Sequence, residues 1–248
     1  NIVLGTRAQL DQLMTGRRVA GAFMAGTLLA LFLFHGTLYV ARRKEASSLY
    51  FSLFCLLWCV ATLFNPATGY IVDAITRYIS WEWYVKLSLM PYGMTTLLLL
   101  LFYNSLYPKP YARPVNALFF WAGAAYMLLM LFMEPSGYGL VPMSYYFFTR
   151  AAFVYLLVNL ILDVVHREKD VLFLLPGFLA LIFVEFDDFL YDFGLISSAD
   201  FGPHGVFLFV VSSSLFMSAR LSKAYSMAEE NLELKKEILE KIDLLRAE

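Results

Sequence analysis

Apolar residues in this chain are gathered into seven long runs, separated by short segments where charged residues, proline and glycine concentrate. The runs cover about 19–40, 48–64, 81–106, 115–133, 145–165, 171–191 and 205–221. The hydrocarbon core of a bilayer takes about 20 helical residues, and only elements that satisfy their own backbone hydrogen bonds can cross it. Each run is therefore predicted to be a membrane-spanning helix. The separators carry the expected breakers: Arg42, Arg43 and Lys44; Asn65, Pro66, Gly69, Asp73 and Arg77; Pro108, Pro110 and Pro114 with Lys109 and Arg113; Glu134 to Gly137; His166 to Asp170; and Gly194, Ser197, Ser198, Gly202 and Pro203. After residue 221 the pattern changes without an intervening loop. Residues 222–248 lack Gly and Pro and are rich in Glu, Lys, Leu and Ala, which favours a helix throughout.

These patterns predict an all-α membrane protein: a seven-transmembrane helix bundle with a C-terminal cytoplasmic coiled-coil helix. Residues 1–18, with Arg7, Asp11, Arg17 and Arg18 among Leu and Met, read as an extracytoplasmic or interfacial link. Residues 19–221 form the transmembrane domain and 222–248 the helical linker. Asn1 in place of Met and the lack of a signal peptide predict a segment excised from a longer protein.

Composition agrees with the runs. Sixty per cent of residues are hydrophobic and 16% charged, against roughly a quarter charged in soluble domains. A net charge of -1 excludes a polyanion such as nucleic acid as the main partner, and the distribution of charge carries more information than its sum. The turns after runs one, three, five and seven hold Arg42, Arg43, Lys44, Lys109, Arg113, Arg167, Lys169, Arg220 and Lys223, whereas those after runs two, four and six hold only Arg77. Lys and Arg are retained on the cytoplasmic side, so the N-terminus is predicted outside and the tail inside, with Trp81, Trp83 and Tyr84 as outer interfacial anchors.

Ionisable residues at membrane depth are costly and mark function by default. Glu82 and Lys86 lie one turn apart in run three. Arg150 lies near the outer end of run five, and Glu185, Asp187, Asp188 and Asp192 fill the last two turns of run six. All seven fall in the outer third of the predicted bundle, with Glu185, Asp188 and Asp192 sharing a helix face that could meet Lys86 and Arg150. Two readings stand: ion pairing that holds the helices together, or a polar vestibule contacting a small-molecule ligand, an ion or an external domain. His35 is an intramembrane polar residue, and His204 reads as a loop residue. Asp163 pairs with Arg167 at i, i+4, and Asn104 and Asn159 are candidates for bonds between helices.

Cys55 and Cys59, one turn apart, read as packing residues, and no ligand set for a metal accompanies them. No cofactor and no catalytic residue is expected. A retinal protein would need a lysine in the last run, and residues 205–219 have none. An intramembrane enzyme would need a nucleophile or metal constellation at one depth. A transporter or channel for a small solute, the competing function, predicts broken helices and repeats around a midplane site.

In the tail, Tyr225, Ala228, Leu232, Leu239 and Ile242 fill one heptad seam, and Leu234, Ile238 and Leu245 fill another. Either seam predicts a parallel homodimeric stalk, because a helix this polar gains stability mainly by burying its stripe against a partner.

The stretch 21–64, an apolar helix, the Arg42, Arg43, Lys44 turn and then Ser48, Leu49, Tyr50, Phe51, Ser52, Leu53 and Phe54, together with the helix over 224–245, resembles the bacterial seven-transmembrane receptors with diverse intracellular signalling modules. That resemblance implies a bacterial inner-membrane receptor with an extracytoplasmic sugar-binding-like β domain before the bundle. It also implies an output domain after the linker: a histidine kinase of a two-component system, a nucleotide cyclase or a phosphatase. The resemblance transfers no binding residue.

Overall fold

A computed structural model of the chain describes residues 6–43, 45–65, 78–134, 137, 140–166, 171–196 and 202–247. The regular elements are helices: α1 (Arg7–Ala41), α2 (Ala46–Leu63), α3 (Trp81–Leu89), α4 (Tyr92–Leu106), α5 (Ala112–Phe132), α6 (Leu140–Val165), α7 (Val171–Asp192) and α8 (Gly202–Ala247). Among the described residues six stretches are long and apolar enough to cross a membrane, α3 and α4 counting as one. α7 is 22 residues long, about 33 Å at 1.5 Å per residue, and carries its acids in the last two turns.

Several boundaries differ from the sequence reading, among them the start of α6 at Leu140, five residues before the expected one. α1 begins at Arg7, so residues 7–18 are its first turns, where a link was expected. Thr6 and Gln9 form a capping box there: Gln9 N–H donates to Thr6 Oγ1 and Thr6 N–H to Gln9 Oε1. The run 81–106 is interrupted at Pro91, which has no N–H to continue the ladder. Gly93 N–H turns to Met90 O, and Leu89 O accepts from the Tyr126 hydroxyl instead, at 3.2 Å. Finally, Gly202 and Pro203 open α8 and do not belong to the preceding loop, consistent with proline's fit to a first helical turn. α7 ends at Gly194, whose φ of 67° suits a residue without Cβ; Leu195 N–H closes the turn on Leu190 O at 2.9 Å.

The helices pack as a closed circuit. α1 lies on α2, α2 on α4, α4 on α5, α5 and α4 on α6, α6 on α7 and α7 on α8, which returns to α1. α4 is the most enclosed: Thr95 to Leu100, six consecutive positions, are all buried. Six residues at 100° each sweep the whole circumference, so α4 has no lipid-facing side there. α5 is peripheral, presenting Leu118, Phe120, Trp121, Leu128 and Phe132 outward.

At the centre, Phe51 (α2), Phe102 (α4), Phe178 (α7) and Phe209 (α8) are fully buried. Phe209 lies 5.0 Å from Phe178 and 6.3 Å from both Phe51 and Phe102, ring centre to ring centre, within the favourable range for aromatic pairs. Cys55 and Cys59 are buried between α2 and α1 as packing residues, and Cys59 donates to Ala25 O.

Where backbones approach, glycine makes room. A Cβ at Gly123 would strike the carbonyl oxygen of Gly93 on α4, and one at Gly177 would strike Ser212 Oγ on α8. A Cβ at Gly26 meets nothing within 4 Å. Gly123→Ala is expected to destabilise by about 1–3 kcal/mol through overpacking, and Gly26→Ala to stay within about 0.5 kcal/mol of the parent. Thermal unfolding in detergent, followed by Trp fluorescence, checks both.

Candidate functional site

The predicted charge cluster occupies the end of the bundle where α3 and α6 begin and α7 terminates. Ser80 caps α3, accepting from Trp83 N–H at 3.5 Å, and so sets the first turn on which Glu82 and Lys86 stand one above the other. Lys86 is 4% exposed. Its ammonium donates to Glu82 Oε1 at 2.6 Å and to Leu131 O at 2.9 Å. The second acceptor is one of the orphan carbonyls at the C-terminus of α5, so this lysine joins α3 to α5.

Arg150 joins α6 to α7. Its Nη1 donates to Glu185 Oε2 in an ion pair, and its guanidinium carbon stands 3.7 Å from the centre of the Tyr146 ring and 5.7 Å from those of Phe153 and Phe189. Aromatic faces favour a cation in this position. Arg150 Nε and Nη2 are buried without a hydrogen-bond partner, as is Asp187 Oδ2. Asp188 is half-buried beside them in sequence. Asp192 ends α7 by its backbone, and its side chain lies outside the described residues. The structure thus pairs Glu82 with Lys86 and Glu185 with Arg150.

His35, fully buried on α1, has its Nε2 3.0 Å from Ser214 Oγ on α8, with the rings of Phe34 and Phe51 set edge-on at 5.0 and 4.8 Å. His204 stands in the first turn of α8, where a loop was expected.

A polar network at the opposite end was largely hidden in the sequence. Tyr103 donates to Asp163 Oδ2 at 2.6 Å, and Lys109 forms an ion pair with Asp163. Tyr111 donates to Asn159 Oδ1 at 2.7 Å, Asn104 Nδ2 to Asn116 Oδ1 at 2.9 Å, and Tyr155 to Asn104 Oδ1 at 3.2 Å. Asn104 and Asn159 do bond between elements, as expected. The predicted Asp163 partner, Arg167, lies outside the described residues; Asp163 holds α4 and the α4–α5 turn against α6. The available signal was Tyr155, Asn159 and Asp163 at i, i+4 and i+8, a polar stripe down one face of an apolar helix.

Of the tail seam, Tyr225 lies beneath Arg42 of the α1–α2 turn, its ring centre 4.8 Å from the guanidinium carbon. Ala228, Leu232, Leu239 and Ile242 are exposed in the single chain, as are Leu234 and Ile238 of the other seam. Among the described residues no group of three or more His, Cys, Asp or Glu is placed to hold a metal ion.

Asp163 is 2% exposed, so Lys109→Met leaves its charge buried and uncompensated. This variant is expected to cost about 3 kcal/mol, and adding Asp163→Asn to recover part of it. A double-mutant cycle of thermal unfolding reads the difference.

No curated protein and no solved structure matches the chain. The family model described as 7TM diverse intracellular signalling matches residues 17–222, which is most of the chain and takes in the Lys86 and Arg150 charge pairs, His35 and the polar network around Asp163. With its apolar helices of spanning length, this chain is a multi-pass membrane signalling domain and belongs to the 7TM diverse intracellular signalling family.

Proposed function

We propose that this chain is the transmembrane core of a bacterial inner-membrane receptor, with seven crossings, its N-terminus outside and its C-terminus in the cytoplasm. It couples an extracytoplasmic sensor domain or small-molecule ligand to an output domain of the histidine kinase or cyclase type through a dimeric coiled-coil stalk. The observation that carries this reading is α8, one unbroken helix from Gly202 to Ala247. Its first half is packed in the bundle through Val206, Phe209, Val210, Ser213, Phe216 and Met217, and residues 225–239 are exposed. A displacement of the packed half therefore moves the exposed half with it.

The route from the outer end runs through α7. Glu185 is held by Arg150, and the body of α7 is locked to α8 at two small residues: Gly177 against Ser212 and Phe209, and Gly205 against Val184. Interfaces this close repack between discrete arrangements and do not deform continuously. Occupancy of the outer cluster that weakens Arg150–Glu185 releases the α7–α8 pair from α6 as one body and turns the stalk. A signal can shift this equilibrium only by as much as its affinities for the two arrangements differ.

A solute pathway, the competing function, needs a polar route through the middle of the bundle. That middle is filled by Phe51, Phe102, Phe178 and Phe209.

Two outcomes test the reading. Arg150→Met leaves Glu185 without its partner and is expected to shift output at least about fivefold in a reporter assay of the whole receptor, the lower end of typical coupling between sites. Unchanged output would rule out the outer pair as a switch. In membranes, single cysteines at Leu232 and Leu239 are expected to cross-link between copies several-fold faster than cysteines at Leu234 and Ile238. A reversed order assigns the stalk to the second seam, and no cross-linking at any of the four positions ends the dimer model.

A further inference from the structure

A cleft of about 200 Å³ opens at the end of the bundle remote from the outer charge pairs, lined by Glu45, Ala46, Ser47, Ser105 and Arg220. It has room for roughly six or seven waters at about 30 Å³ each. Three parts of the chain converge there: the α1–α2 turn with the start of α2, the last turn of α4, and α8 one turn before its exposed half. The lining is polar in a chain whose helices are otherwise packed with aliphatic and aromatic side chains.

The chemistry of the lining is selective. Arg220 is exposed and makes no ion pair among the described residues, so its planar set of donors is available. The Ser105 hydroxyl donates to Phe102 O at 2.7 Å, which leaves its oxygen as an acceptor. Ser47 is the hydroxyl donor of the lining. Glu45 is matched by Arg42 at 3.5 Å, and Arg43 and Lys223 stand within three residues of the lining in sequence. With Glu45 matched by Arg42, Arg220 leaves the lining with an excess of positive charge that disfavours a cation, and the polar walls give an apolar ligand little to bury. A compact oxyanion meets both the charge and the donor geometry, because guanidinium matches phosphate oxygens in pairs.

We infer that this cleft binds a phosphate-type oxyanion, with Arg220 as its principal partner and Ser47 as a second donor. Its position at the basic end of a membrane bundle makes the headgroup phosphate of an anionic lipid the nearest source, since such lipids collect beside Lys and Arg at the cytoplasmic surface. Free inorganic phosphate has the same chemistry. A bound anion ties α8 to the α1–α2 turn just before the Arg42–Tyr225 contact ties them a second time. The site therefore acts on the helix that carries the signal, at the point where it leaves the bundle. The binding itself does not depend on the outer cluster being a switch.

The test uses the full chain purified in detergent. Native mass spectrometry compares retention of phosphatidylglycerol with that of phosphatidylcholine, and a separate arm measures inorganic phosphate by phosphorus NMR without lipid. The parent chain is expected to retain phosphatidylglycerol about tenfold better than phosphatidylcholine, the value of one good charge-assisted contact. Arg220→Gln should remove the preference, Arg220→Lys keep part of it, and Ser47→Ala reduce it with the fold undisturbed. Arg220-dependent binding in the inorganic phosphate arm alone supports the site and assigns it to the soluble anion. Equal retention of the two lipids together with no phosphate binding overturns the proposal, as does a preference that survives both Arg220→Gln and Ser47→Ala.

Discussion

Lipid is a solvent that neither hydrogen-bonds to the backbone nor pushes apolar helices together. The first property makes every crossing a helix. The second leaves the choice of neighbour to steric fit and to the few polar groups that find partners. The contacts that fix this bundle are of those two kinds. Gly123 lets α5 reach the Gly93 backbone, Gly177 lets α7 reach Ser212, and Gly205 meets Val184. Lys86, Arg150, His35 and Asp163 each tie one element to another through a bond that has no substitute in hydrocarbon. Large side chains fill what remains around α4, the helix with no lipid-facing side along its buried stretch.

This division of labour separates parts that hold together from parts that can part. α7 and α8 share an extensive interface closed by small residues and by Phe178 against Phe209. α1 meets α8 over a narrower area, in which His35 and Ser214 form a polar link between the first helix and the last. The junction of α6 with α7 is closed at the outer end by one ion pair framed by aromatic rings. A guanidinium that keeps Nε and Nη2 buried without partners carries an unmet cost, since each orphaned donor is worth about 1–3 kcal/mol. The charge-pair end of the bundle thus keeps Arg150 Nε, Arg150 Nη2 and Asp187 Oδ2 buried without hydrogen-bond partners.

The two ends differ in construction. At the end remote from the charge pairs, Asp163 and the Asn104, Asn116, Tyr155, Asn159 and Tyr111 chain are bonded to one another or to neighbouring helices, and such networks rigidify when satisfied. They brace α4, α5 and α6 against one another, beside the place where α8 departs. Arg42 over Tyr225 adds a contact between the α1–α2 turn and the exposed part of α8.

Much of this was legible in the order of residues. Run length located the apolar helices, because hydrocarbon thickness is a single number that every span must meet, but it did not place the start of α1, which lies twelve positions before the expected one. The absence of Gly and Pro after residue 221 foretold the continuous tail. The sign and depth of Glu82, Lys86, Arg150 and Glu185 picked out the outer cluster, because charge in lipid is too costly to be incidental. Partnership was not legible. The sequence offered five acids to two bases and did not say that Lys86 would take a carbonyl of α5, that Asp163 would bind Tyr103 and Lys109, or that His35 would meet Ser214. Those pairings join residues 45 to 179 positions apart, and no periodicity within a helix records its neighbour across the bundle. The break at Pro91 escaped for a related reason: a proline inside an apolar run is tolerated where Tyr126, on another helix, supplies the hydroxyl that the interrupted ladder needs. Composition decided that the chain lies in a membrane. Only packing decided which helices are bound together and which single contacts hold them.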